Sequence, residues 1–228
     1  MADAGHEETA KRLIKFITEL LREKKVCLKE GVSYTDDTRW SLSYGSLLIK
    51  CVIGLYEYYE FNNAKQYKRM AESLARELIG LTFKEDHFTI NGKKGWVYTH
   101  PHCYATEGLI FLHKKGYEEF QEKIEKSAEW LAKNQNKDGS LFNWYYHDVV
   151  PEKQGDATAQ AARIWLLVDR ERFRRNIEES LKFLRTLQSE EGGLFYNTGS
   201  QDRNAWVSMF ASQAFYWYEN EPQEAWII

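Results

Sequence analysis

A chain of 228 residues, 43% hydrophobic and 15% aromatic, is long enough to bury a contiguous core. Its formal charge of −3, with basic residues spread among acids, gives no electrostatic footprint for a nucleic-acid backbone and argues against such a partner. Cys27, Cys51 and Cys103 form an odd, widely spaced set without a CxxC, which argues against a disulfide framework. Together with an acid-bearing N-terminus unlike a signal peptide and no apolar run of about 18 residues, this suggests a soluble cytoplasmic protein without a membrane span. The high charged fraction, 29%, leans toward a thermophilic source.

Taken in chain order, apolar periodicity predicts eight helices. Amphipathic ones fall near 7–23, 64–80, 117–134 and 171–188, each followed by a more apolar one near 38–59, 102–114, 157–168 and 204–218. Stretches such as Leu109-Ile110-Phe111-Leu112 and Ile164-Trp165-Leu166-Leu167 are apolar nearly all round, so the second helix of each pair is expected inside and the first outside. No linker or low-complexity segment interrupts 1–228, and one continuous domain is expected.

The third and fourth outer helices end alike. Trp130-Leu131, Gln135, Gly139, Leu141 and Phe142 return 53 residues later as Phe183-Leu184, Gln188, Gly192, Leu194 and Phe195. A period near 50 residues points to a stack or ring of helical hairpins. Leu78, Thr82, Asp86 and Phe88 form a degenerate upstream copy without the Gln and Gly.

The pattern aromatic-Leu-x3-Gln-x3-Gly-x-Leu, over 126–142 and 180–196, resembles the QW-type repeat of the terpenoid cyclase and protein prenyltransferase superfamily. That resemblance implies an all-α fold, an α/α toroid of helical hairpins, in which Gln135 and Gln188 bond backbone groups of a neighbouring helix. Such toroids use about six hairpins. Four fill this chain, so an incomplete ring is expected, its open ends covered by the apolar Ala225-Trp226-Ile227-Ile228, by another copy or by a partner domain.

Inner-helix starts converge on one mouth, where unsatisfied N–H groups gather. The candidate catalytic residues there are His102, Glu107 and Asp156. The candidate substrate-binding residues are Asp36, Arg39, Trp40, Tyr104, Gln160, Arg163, Asn204 and Trp206, with Asp156, Gln160 and Arg163 on one helical face at i, i+4 and i+7. His100-Pro101 reads as helix entry. Asp156-Ala157-Thr158 lacks the Cys of the prenyltransferase zinc motif, Asp36-Asp37-Thr38 is not the cyclase DxDD motif, and no metal or other cofactor is expected. There is also no phosphate loop or GxSxG elbow. Thr99 to Leu112 and Gly155 to Leu167 resemble a prenyltransferase-like repeat group associated with polysaccharide processing. The polar, aromatic mouth therefore points first to a carbohydrate-active toroid that binds a saccharide or processes it by acid/base hydrolysis, elimination or epimerisation. An isoprenoid-binding protein and a non-catalytic scaffold are the alternatives.

Overall fold

The computed structural model describes residues 4–22, 45–91, 95–220 and 222. Asp36, Arg39, Trp40, Cys27, the first residues of the expected 38–59 helix and the Ala225–Ile228 cover lie outside that set. The architecture is all-α, an arc of four helical hairpins. The outer helices are α1 (Ala4–Arg22), α3 (Lys65–Thr82), α5 (Gln121–Lys133) and α7 (Arg174–Thr186). The inner helices are α2 (Cys51–Asn62), entered through a 3-10 turn at Ser46–Lys50, then α4 (Thr99–Lys114), α6 (Gly155–Val168) and α8 (Ala205–Glu219).

Inner helices pack beside one another in chain order, and each outer helix backs the inner ones. The burial follows the residue pattern: Thr99 to Leu112 is buried almost without a break, as is Gly155 to Leu166. On α5 only one face is buried, through Ile124, Ser127, Ala128, Trp130 and Leu131. Inner and outer layers are also tied by the Trp165 Nε1–H, which donates to Ala128 O at 2.9 Å.

After α3, α5 and α7 the chain turns through a left-handed residue, Glu85 (φ 52°), Gly139 (φ 86°) and Gly192 (φ 92°) respectively. The degenerate upstream copy is thus a real turn, with Glu85 accepting the strained conformation that glycine takes in the other two. At Gly139 glycine is required twice over, because a Cβ there would lie 2.0 Å from Glu179 O of α7.

Short antiparallel pairs then carry the chain to the next inner helix. β1 (Phe83–Lys84) pairs with β2 (His87–Phe88), β3 (Val97–Tyr98) with β5 (Trp144–Tyr145), and β4 (Leu141–Phe142) with β6 (Lys153–Gln154). Of these, β3–β5 interlocks consecutive repeats, while β1–β2 and β4–β6 close the loop within one repeat. The first N–H of α4, Thr99, donates to Asn143 O at 2.9 Å, and the first N–H of α6, Gly155, donates to Tyr196 O at 3.0 Å. α4 and α6 are therefore each anchored to the loop of the following hairpin.

Gln135 performs the role the repeat resemblance implied. Its Nε2 lies 2.9 Å from both Asn176 O and Ser180 Oγ of α7 and 3.1 Å from Gly139 O, and Asn176 Nδ2 donates to its Oε1 at 2.7 Å. Gln188 makes the same local bond, to Gly192 O at 3.3 Å, but is exposed and reaches no neighbouring helix among the described residues.

Candidate functional site

Aligning α4, α6 and α8 from their first residues exposes one rule for the site. The second, sixth and ninth residues are His100, Tyr104 and Glu107 on α4, Asp156, Gln160 and Arg163 on α6, and Trp206, Phe210 and Gln213 on α8. Spacing of i, i+4 and i+7 puts each trio on a single helical face. Across the arc His100 meets Asp156, Glu107 meets Arg163, and Phe210 lies against both His100 and Arg163.

The rim row brings His100 Nδ1 to 3.8 Å from Asp156 Oδ2. Asp156 is 8% exposed, and its Oδ1 accepts from the Ala157 N–H at 2.8 Å. Burial pushes its carboxyl up to about 6, against the pull of the backbone N–H groups. His100 is 7% exposed; burial, only partly offset by Glu107, lowers its imidazole to about 4. Near pH 5 the pair is therefore a protonated carboxyl facing a neutral ring. Trp206 completes the rim at 58% exposure, its ring 5.9 Å from Phe210, which in turn lies 5.8 Å from His100.

In the middle row, Tyr104 packs edge-on to His100 at 4.3 Å, and burial pushes its phenol up to about 12, so it stays protonated. The Gln160 amide is fully buried beside the His100 ring, where its side chain favours the protonated imidazole and partly opposes the effect of burial.

Charges occupy the deep row. Lys50 Nζ, from the turn before α2, donates to Glu107 Oε2 at 2.6 Å, and Arg163 Nη1 lies 3.0 Å from Glu107 Oε1. Burial alone would raise the Glu107 carboxyl, but Arg163 and Lys50 outweigh it and hold the group below its ordinary value. Burial lowers the Lys50 ammonium, with Glu107 opposing. No Arg163 nitrogen aligns for a hydrogen bond; the guanidinium packs instead on Phe210 and Trp217, 4.9 and 5.4 Å from their ring centres. Glu107 is thus clamped between cations and is a brace for the arc. A carboxylate held ionised between two cations in this way is poorly suited to take up a proton.

His102 departs from expectation. It is the fourth residue of α4, and its Nδ1 accepts the Phe88 N–H at 3.1 Å while Nε2 lies 3.3 Å from Ser127 O. The fourth residues of α6 and α8 do the same work: Thr158 Oγ1 accepts from Leu141 N–H and Ser208 Oγ from Leu194 N–H, each at 3.0 Å. His102 is therefore a hairpin anchor facing the outer layer, held neutral by burial, which lowers its pKa to about 3. Asn204 is likewise structural, its Oδ1 capping α8 by accepting the Val207 N–H at 3.1 Å.

Of the expected residues, the arc brings together Tyr104, Glu107, Asp156, Gln160, Arg163 and Trp206, whereas Asp36, Arg39 and Trp40 lie outside the described set. His100, Phe210 and Lys50 are site residues that were not expected. His100 was legible in principle, since His100, Tyr104 and Glu107 repeat the spacing of Asp156, Gln160 and Arg163. Its Pro neighbour drew it instead into a helix-entry reading. Among the described residues no group of three or more His, Cys, Asp or Glu is placed to hold a metal ion.

No family model and no curated protein matches this sequence. Solved structures do match. A glycosyl hydrolase family 88 protein from Bacteroides vulgatus superposes with a TM-score of 0.64 at 13% identity, over 78% of this chain and 63% of that one. The unsaturated glucuronyl hydrolase of Bacillus sp. GL1 gives 0.61 at 15% identity, over 75% and 58%. The GH76A α-1,6-mannanase from Salegentibacter sp. HEL1_6 gives 0.55 at 14%, over 75% and 56%. The shared fold is the α/α toroid, of which this chain spans less than two thirds of each matched structure. These structures do not carry the terpenoid cyclase or prenyltransferase name that the repeat suggested.

Proposed function

We propose that the chain is a carbohydrate-active α/α-toroid enzyme that moves a proton to or from a saccharide through Asp156, with His100 beside it and Trp206 as a stacking surface at the rim. The observation that carries this reading is the Asp156 carboxyl, buried to a pKa of about 6 and set against a neutral imidazole at the mouth of the arc. A group of this pKa donates a proton at mildly acidic pH, the step needed to release a glycosidic leaving group. The buried Gln160 amide, beside the His100 ring, is a further polar group that a sugar hydroxyl can meet.

The fold shared with two described hydrolases and a mannanase is consistent with this activity and leaves hydrolysis, elimination and epimerisation open. The Lys50–Glu107–Arg163 row argues against the isoprenoid alternative, because a hydrocarbon chain gains nothing beside clamped charges. We also infer that 1–228 behaves as one toroid domain. No described helix is long and apolar enough to cross a membrane, and the free thiols Cys51 and Cys103 suit the expected cytoplasmic setting.

The test is a panel of oligosaccharides followed by reducing-end release and by the ultraviolet absorbance of a new double bond, for the parent and for Asp156→Asn and Trp206→Ala. Hydrolysis raises the first signal alone, and elimination raises both. Turnover that survives Asp156→Asn would remove the carboxyl from the mechanism.

A further inference from the structure

The fourth hairpin ends the arc with half of a junction. Gln135 reaches the next outer helix, whereas its repeat mate Gln188 bonds only its own turn. Gly139 lies against Glu179 O of that helix, whereas at Gly192 nothing comes within 4 Å of an added Cβ. Thr99 and Gly155 donate their N–H groups to the following loop, whereas Ala205, first residue of α8, has no such loop to meet among the described residues. Where α4 and α6 are closed in on all sides, α8 exposes Met209 (46%) and Tyr216 (41%) on one face at i and i+7, away from the Trp206 rim position.

The other end presents a complementary half. α1 and α2 frame a largely apolar groove of about 510 Å³ that includes Leu13, Ile14, Ile17, Tyr58 and Phe61 with Glu7 and Glu57, and exposed Gly54 lines it with no atom of the described residues within 4 Å of where a Cβ would stand. Leu13 is 59%, Phe16 63% and Phe61 55% exposed. Inside the arc, glycine already serves inner-helix contact: Gly108 of α4 lies on Ile49, and Gly155 of α6 on Val207 of α8.

We propose that this α8 face of one copy docks in the α1–α2 groove of a second copy, continuing the hairpin series head to tail. The next unit in register after the fourth hairpin is then the first hairpin of another chain. Large side chains on one face meet a glycine-lined groove on the other, and Gln188 gains the main-chain carbonyls of an outer helix. Because the two faces differ, the contact is heterologous, with each chain using each face once.

Analytical ultracentrifugation of the full chain tests this. The parent should self-associate with rising concentration. Met209→Asp spoils the α8 face and Gly54→Trp fills the groove; both sites are exposed, and circular dichroism should show parental helix content. Each variant alone should be at least tenfold weaker in self-association. Mixed, they should form 1:1 dimers and nothing larger, since one retains an intact groove and the other an intact α8 face. Leu13→Glu supplies a second groove variant should Gly54→Trp fail to fold. A parent that stays monomeric at every concentration, as it would if another polypeptide covered these faces, overturns the proposal. So do variants that associate like the parent, or a mixture that yields no dimer.

Discussion

Asp156 carries the most informative pH dependence at the scale of a single residue. Its pKa of about 6 in the folded chain exceeds the ordinary 3.8, so between those values the folded state holds the proton that the unfolded chain releases. The group therefore subtracts stability as pH rises through about 4 to 6. Asp156→Asn should melt higher than the parent at pH 7, by up to about 2–3 kcal/mol, with little difference at pH 4. The same variant should lose about 10²–10⁴-fold in turnover, the usual worth of a positioned general acid, and parental turnover should fall above pH 6. Gained stability with lost activity separates a functional carboxyl from a structural one. His102 is the contrasting case. Removing its imidazole with His102→Ala leaves the Phe88 N–H buried without an acceptor, a cost of about 1–3 kcal/mol in urea melts, and the pH profile of turnover should not move.

Among elements, the two copies of the repeat differ in what they hold. Gln135→Ala should destabilise by about 1–3 kcal/mol, because α7 loses partners for Asn176 and Ser180, whereas Gln188→Ala in the monomer should cost less than about 0.5 kcal/mol. Chemical denaturation of both variants checks the contrast. Trp130 and Phe183, 2% and 4% exposed at the aromatic position of the repeat, should each cost about 3–5 kcal/mol on truncation to alanine. Much of this was legible in the sequence. Apolar periodicity placed seven helices with ends shifted by a few residues; the one expected over 38–59 is α-helical only from Cys51, after a 3-10 turn, with 38–44 outside the described residues, and the matched Gln and Gly marked the hairpin turns. The site was less legible. His100, Tyr104 and Glu107 carry the same spacing as the α6 trio, yet polarity alone does not distinguish a residue that faces inward from one that anchors a hairpin. His102 and Glu107 look alike as polar residues in an apolar helix, and only the partners across the arc, Phe88 in one case and Arg163 with Lys50 in the other, separate their roles.

Across the whole molecule, the Lys50–Glu107–Arg163 row joins three inner helices and leans on the aromatic rings of the fourth. Breaking it from one side strands a buried charge, so Arg163→Met should destabilise by about 3–5 kcal/mol. The double variant Arg163→Met with Glu107→Leu should recover part of that loss, as read from thermal unfolding. The same arc keeps its two tasks on different residues of one helical turn. Position four of α4, α6 and α8, His102, Thr158 or Ser208, accepts the N–H that fixes the hairpin. Position two, His100, Asp156 or Trp206, is the one that would meet the saccharide under the proposed function. Drift at the second position can therefore rewrite what the arc handles without unfastening the hairpins, and this gives the architecture a capacity to diversify its chemistry while its assembly stays fixed.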